Sequence, residues 1–422
     1  MLRFADVLFF FSYMKDMNVI KNIEAQVGSP FYMMDPDLYE SNVRTFVDAF
    51  RKKYDKIIIG YSFKTNYIPA LCLRAKQIGC YAEVVSEMEM DIALKLGFEK
   101  IIFNGPIKRK DALIRAIKHQ AIVNIDAEYE VDFLCQYKKE HPETEIKAGI
   151  RLNIMLVDED GNSVVQTGLR SGRFGFPYDI LEKNIARLRD AGLRVVSVHG
   201  HTSSSDRAVV NYRVIADYML RICEEFDLND IEFFDIGGGF FGAAPEGLDL
   251  TNRPKYEYYA NIVVDCLKNS EWFNRCLPYI VIEPGSSVVS NVFKYYTKVY
   301  QLKRINGKNF AMVDGTVFDV KPTMHSNNLP HSIIAESVED EFEVYDVAGS
   351  TCMEKDIMLR EVSLPKLKIG DFLEFRGVGA YTISLTPTFI NYLAPIVTVE
   401  NETINVVRRK QQMDDVLNIY KL

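Results

Sequence analysis

The sequence predicts an α/β fold: a closed (β/α)8 barrel, or TIM barrel, joined to a C-terminal domain that is mainly β and built as a sandwich or small barrel. Three observations carry that expectation. Eight short runs rich in β-branched residues alternate with stretches of helical period between about residues 56 and 290, with no hairpin signal among them. Beyond residue 290 the alternation stops, and runs rich in Val, Tyr and Phe follow one another between Gly, Asn and Asp. Lys64 and the polar motifs HGHTSSS (199–205), DIGGGF (235–240) and IEPGSS (282–287) stand at the ends of strand-like runs, where a barrel gathers its functional groups.

Residues 1–35 form an N-terminal segment. Its apolar stretch FADVLFFFSYM (4–14) is interrupted by Asp6, is too short to span a bilayer and lacks the flanks of a signal peptide, so it is expected to pack on the fold. SPFYMMD (29–35) is strand-like and is expected to add to the β domain. The barrel is expected over residues 36–288, with strands at 56–63, 80–86, 100–104, 121–126, 145–154, 194–202, 230–236 and 279–283. Between them EMEMDIALKLGF (87–98), KRKDALIRAIKHQ (108–120) and PYDILEKNIARLRDAGL (177–193) repeat apolar residues every three to four positions. Residues 289–422 form the β domain, through runs such as VFKYYTKVYQL, EFEVYDVAG, DFLEFRGVG and PIVTVE.

Bulk properties exclude some partners. A net charge of −8 over 422 residues argues against nucleic acid and anionic membranes, which reward a basic surface, and leaves a small-molecule substrate. Seven cysteines, an odd number without a C-x-x-C pair, are those of reduced thiols in a cytoplasmic protein.

The strand-end residues point to one cofactor. A lysine ε-amine forms the Schiff base that anchors pyridoxal 5'-phosphate, and Lys64 is placed to supply it. Gly237, Gly238 and Gly239 follow an apolar strand, so their N–H groups can approach a phosphate with no Cβ in the way, and Ser204 can donate a hydroxyl. His199 and His201 are one alternation apart and point to the same side of their strand. Either can face the pyridine ring, and His201 is nearer the strand end. Glu283, before Pro284, is placed to keep the pyridine nitrogen protonated, which favours decarboxylation over racemisation. No metal is expected.

The ordered set YSFKTN (61–66), HGHTSSS, DIGGGF, EPG (283–285), GSTCMEKD (349–356) and GVGAYT (377–382) resembles the barrel-fold (fold type III) pyridoxal-phosphate decarboxylases over about residues 30–400. That family includes diaminopimelate, ornithine and carboxynorspermidine decarboxylases, and its barrel is alanine racemase-like. By this resemblance Lys64 carries the cofactor, His201 stacks on its ring and Glu283 pairs with the pyridine nitrogen. Ser204, Gly237, Gly238, Gly239, Gly285 and Tyr381 hold the phosphate. Cys352 matches a catalytic cysteine that reaches across from a second subunit and protonates the carbanion after carbon dioxide leaves, which implies a homodimer with shared active sites. Glu83, in AEVVS, and Arg173, in SGRFGF, match positions near the cofactor.

The substrate side departs from the family. Relatives carry an arginine where this chain has Ser286, a second arginine at the position of Lys321, a tyrosine at that of His325 and an acid at that of Met353, which also lies in the substrate set with Tyr381. Lysine does not reproduce the bidentate fit of a guanidinium to a carboxylate, and methionine cannot hold a distal ammonium. The expectation is therefore an amino-acid decarboxylase acting on a modified or conjugated substrate, in siderophore, antibiotic or polyamine-type biosynthesis. The alternatives are a diaminopimelate or ornithine-type decarboxylase, a catalytically silent regulatory relative, which Ser286 keeps open, and a racemase, which Glu283 and Cys352 oppose.

Overall fold

The computed structural model describes residues 17–158, 160–165, 172–204, 206–245, 247 and 253–421; the apolar stretch at 4–14 lies outside them. The chain forms two compact units. One comprises residues 40–243 and 251–288, the other residues 1–39, 244–250 and 289–422.

The first unit is a closed parallel barrel of eight strands. In chain order, after β1 (Phe31–Met34) of the other unit, they are β2 (Ile57–Ser62), β3 (Tyr81–Val84), β4 (Ile101–Phe103), β5 (Ile122–Ile125), β6 (Ala148–Arg151), β7 (Val195–His199), β8 (Phe233–Asp235) and β9 (Tyr279–Ile282). Each pairs in parallel with the next, and Ile57–Ile59 of β2 close the ring against Ile280–Ile282 of β9. Helices such as Glu87–Lys95, Lys110–Lys118 and Leu181–Asp190 lie between strands. Because side chains alternate along a strand, a barrel sorts its interior into layers. Ile58, Ile102, Ile122, Val196, Phe233 and Val281 form one apolar cluster, with Tyr81 packed against it. One alternation further along, Gly60, Glu83, Asn104, Asn124, Gly149 and Asp235 replace that cluster with a polar one. The glycines make room: a Cβ on Gly149 would lie 2.7 Å from Ser197 Cβ, and one on Gly60 would lie 3.1 Å from Ile102 Cδ1.

Two buried cations in this unit are paired. Lys108 is fully enclosed, and its Nζ donates to Glu130 Oε2 at 3.0 Å and to the Gly105 carbonyl at 2.8 Å. Arg151, at the end of β6, lies 3.3 Å from Asp126 and stacks on Phe174. An unpaired charge at either place would cost several kcal/mol, on the order of 3 to 5.

The second unit is a mixed nine-stranded sheet. β1 (Phe31–Met34), from the segment SPFYMMD, lies between β10 (Phe293–Ile305), antiparallel, and β16 (Ile396–Glu400), parallel. From β10 the sheet continues through β11 (Lys308–Val313), β13 (Phe342–Ala348) and β14 (Ile357–Pro365); β15 (Phe372–Arg376) joins β10 to β12 (His331–Ile334), and β17 (Thr403–Arg408) pairs with β16. Residues 17–27 are helical, and Met17, Ile20 and Ile23 share a core with Phe31, Tyr296, Ile334, Phe372 and Val397.

Candidate active site

The polar end of the barrel brings together Lys64, Glu83, His201, Ser204, Gly237, Gly238, Gly239, Glu283, Gly285 and Ser286, all in the first unit. Lys64 follows β2 in a short turn of 3-10 helix, Phe63–Thr65. Its Nζ lies 3.2 Å from Glu83 Oε2, and the same oxygen accepts from Ser62 Oγ at 2.5 Å. Glu83 Oε1 accepts from Asn104 Nδ2 at 3.0 Å, and that amide nitrogen also donates to Glu283 Oε1 at 2.6 Å. Asn104 Oδ1 in turn accepts from Asn124 Nδ2 at 2.9 Å, and Ser197 Oγ donates to Asn124 Oδ1 at 2.8 Å. One buried chain of hydrogen bonds therefore runs from the lysine amine to the Glu283 carboxylate.

Around Glu283 the electrostatics are set by burial. His199 Nε2 stands 3.7 Å from Glu283 Oε2, and neither ring nitrogen of His199 has a hydrogen-bond partner among the described residues. Burial, reinforced by Arg151, pushes the His199 pKa well below the usual imidazole range, so the ring is neutral. Asp235 is pushed the other way, by burial first and by the neighbouring Glu283 second, and holds its proton far above the usual carboxylate range. Its Oδ1 accepts from the Gly237 N–H at 2.9 Å. One ligand atom each from His199, Asp235 and Glu283 falls within 4.8 Å of the others, so the place also has the donors for a cation. The partnerless imidazole and the carboxylate beside it equally suit a protonated heterocyclic nitrogen.

His201 lies parallel to His199, with ring centroids 6.4 Å apart and planes 11° from parallel. Its Nδ1 accepts from the Gly238 N–H at 3.1 Å, and burial with the charge of Lys64 lowers its pKa to about 3, leaving a neutral ring. The glycine run packs against this histidine: a Cβ on Gly237 would lie 2.7 Å from His201 Nδ1, and one on Gly238 would strike the Glu283 carbonyl. Gly237 and Gly239 have φ of +69° and +90°, a backbone that only glycine adopts without strain. Ser204 Oγ accepts from the Arg207 N–H at 3.1 Å and from Asn211 Nδ2 at 3.0 Å. A Cβ on Gly285 would collide with Thr65 Oγ1.

The remaining predicted residues belong to the second unit. Cys352 is exposed on the loop between β13 and β14. Buried Asp356 shapes that loop by accepting from Val317 N at 2.6 Å, Thr351 N at 2.9 Å and Thr351 Oγ1 at 2.7 Å. Met353 follows Cys352, with its N–H 3.3 Å from Thr351 Oγ1. Tyr381 is exposed after β15, with φ of +54°. Lys321 is buried, its Nζ 3.3 Å from the Asn327 carbonyl, and desolvation followed by the charge of Arg360 lowers its pKa. His325 is exposed; its pKa is lowered by partial desolvation and by Lys321. In the barrel, Arg173 stacks on Phe174, 4.6 Å from the ring centroid.

Sequence reasoning missed three residues. Asn104 ends the strand-like run 100–104 and Asn124 lies within the run 121–126, and their side chains gain meaning once the barrel closes. Arg207 carries no motif, yet its Nη1 lies 3.4 Å from Ser286 Oγ.

Comparison with known proteins places these features in context. The profile of the pyridoxal binding domain of pyridoxal-dependent decarboxylases matches residues 40–290. A diaminopimelate decarboxylase of Aquifex aeolicus is 26% identical over 407 residues, 94% of this chain and 92% of that one. One from Methanocaldococcus jannaschii is 27% identical over 406 residues, covering 92% and 90%. In fold, the chain superposes on the crystal structure of Helicobacter pylori diaminopimelate decarboxylase complexed with L-lysine with a TM-score of 0.82, at 24% identity, covering 95% of this chain and 98% of that one.

Proposed function

The chain belongs to the pyridoxal-dependent decarboxylase family, and from that premise we propose that it removes the α-carboxylate of diaminopimelate or a closely similar diamino diacid. It is a decarboxylase, and its cofactor is pyridoxal 5'-phosphate. The observation that carries the substrate class is the match to diaminopimelate decarboxylases over more than nine-tenths of this chain.

This replaces the modified or conjugated substrate expected from Ser286, Lys321, His325 and Met353. Two features of the structure reduce the force of those substitutions. Arg207 brings a guanidinium to Ser286, so that corner of the barrel does not lack one. Glu354, next to Met353, is an exposed acid on the Cys352 loop. The modified substrate remains the second reading, favoured by Met353 itself, which offers no charge to a distal ammonium.

The barrel residues suit the cofactor's chemistry. When bound, the cofactor is the electron sink for the pair left as carbon dioxide departs. Lys64 supplies the amine that anchors it, and Glu83, 3.2 Å from that amine, positions it. Neutral His201 offers an uncharged face for the ring, and Glu283 pairs with the ring nitrogen. Ser204, Gly237, Gly238, Gly239, Gly285 and Tyr381 hold the phosphate. Cys352 returns a proton to Cα from a second copy of the chain, so the working form is a homodimer with shared sites, in the cytoplasm. Among the described residues no helix is long and apolar enough to cross a membrane.

Carbon dioxide release from meso-diaminopimelate, L-ornithine, L-arginine and their N-acyl and carboxyalkyl conjugates tests the proposal. Saturable turnover of meso-diaminopimelate, abolished by Lys64→Ala, is expected. Turnover of a conjugate alone would establish the second reading.

A further inference from the structure

We propose that Arg207 binds the phosphate of the cofactor, entering from the loop after β7 to serve the corner where Ser286 stands. This deepens the cofactor assignment above and rests on it.

A hydroxyl has one proton to donate and two lone pairs to accept with. Ser204 Oγ accepts from Arg207 N at 3.1 Å and from Asn211 Nδ2 at 3.0 Å. Both lone pairs are engaged, and no acceptor among the described residues takes the proton, the role a phosphate oxygen fills. The same contact ties the Arg207 backbone to the phosphate cradle. Arg207 has φ of +47°, uncommon for a non-glycine residue, and its carbonyl is held by the Tyr259 hydroxyl at 2.7 Å. The loop is thus fixed in a conformation that turns the side chain back toward β9.

The guanidinium is placed but not neutralised. Nη1 makes two long contacts, 3.4 Å to the Phe240 carbonyl and 3.4 Å to Ser286 Oγ, and the guanidinium lies 5.3 Å from the Phe241 ring centroid. Phe240 follows the glycine run and Ser286 follows Gly285, so Arg207 touches both strand ends that form the cradle. Arg207 forms no ion pair with a carboxylate among the described residues. Its neighbour Asp206 is engaged with Asn211 Nδ2 at 2.9 Å and Ala208 N at 3.2 Å. Arg151, a buried guanidinium at the same end of the barrel, is paired with Asp126. Arg253 shares the Phe241 ring at 5.1 Å, while Arg207 is the one that reaches Ser286. A phosphate ester of charge near −2 needs a cation that glycine N–H groups and a serine do not supply, and the planar fork of arginine matches its oxygens.

The test titrates apoenzyme with pyridoxal 5'-phosphate and with pyridoxal, which lacks the phosphate, following the visible absorbance of the bound cofactor and quenching of protein fluorescence. Loss of a charge-assisted hydrogen bond weakens binding roughly 10- to 100-fold. Arg207→Ala is expected to weaken pyridoxal 5'-phosphate by that factor and to leave pyridoxal within about twofold. Arg207→Lys should fall between, and the double variant Arg207→Ala, Ser286→Arg should recover most of the affinity. Equal weakening of both ligands would assign Arg207 a purely structural role and overturn the proposal, as would unchanged affinity for both. A raised KM for substrate with unchanged cofactor affinity would assign the guanidinium to a substrate carboxylate and overturn it too. Wild-type enzyme that fails to saturate with pyridoxal 5'-phosphate would remove the cofactor reading itself, an outcome distinct from all of these.

Discussion

Replacing Asn104 by leucine isolates the hydrogen-bonded chain between Lys64 and Glu283. Leucine keeps the number of side-chain heavy atoms and leaves no cavity, so the effect reports the lost polar contacts. Asn104 Nδ2 donates to two carboxylates, at 3.0 Å to Glu83 and 2.6 Å to Glu283, and its oxygen accepts from Asn124 at 2.9 Å. Hydrogen bonds to charged groups contribute about 1.5 to 3 kcal/mol each, and a neutral one about 1 kcal/mol. Their sum, less the gain from burying a larger apolar side chain, is a loss of about 3 to 5 kcal/mol, and Asn124 Nδ2 keeps only a long contact, 3.5 Å to Asp235 Oδ2. For a unit the size of the barrel that lowers the unfolding temperature by roughly 10 °C. Differential scanning calorimetry of apoenzyme at neutral pH measures it. The same loss removes a hydrogen-bond donor to Glu283, the proposed partner of the ring nitrogen, so the pH at which the bound cofactor changes its absorbance should move in the variant. A temperature change under about 2 °C together with an unmoved spectral titration would show that Asn104 does not couple the two carboxylates.

Two further outcomes follow from the structure. Burial, opposed by the Val85 N–H and aided by Glu83, raises the pKa of Glu89 to about 7. An acid whose pKa is raised on folding binds more protons folded than unfolded, so its contribution falls as pH rises from about 4.5 to 7. Glu89→Gln keeps an oxygen for the Val85 N–H; it should match wild type near pH 4.5 and be more stable at pH 8 by thermal melting, and equal behaviour at both pH values would contradict the assignment. Under the proposed dimer with shared sites, Lys64→Ala and Cys352→Ala proteins, each inactive alone, should regain about a quarter of wild-type activity when unfolded, mixed and refolded, because half of such dimers would be mixed and each would rebuild one site of two. No recovery would place both residues in the same subunit's site.

The diaminopimelate question shows how far single positions carry. In the sequence Ser286, Lys321, His325 and Met353 each stand for a lost contact only if the lost group must come from the same place in the chain. Arg207 brings its guanidinium to Ser286 from another strand end, 79 positions earlier. A site assembled from loop ends can exchange one contributor for another, and a residue read in its own motif cannot reveal that.

The alternation of β-branched runs with helical period determined the eight-stranded barrel, because a strand buried on both faces and a helix buried on one leave distinct periods in the chain. Lys64, the glycine run and Glu283 were legible for a related reason: each is local to the strand end that positions it. Only the tertiary structure decided what these residues touch. Asn104 bridges Glu83 and Glu283, which are 200 positions apart in the chain, and Asp356 shapes the Cys352 loop by holding Val317. Such contacts arise when the ring of strands closes and loops fold back, bringing side chains together at distances that no spacing along the chain encodes.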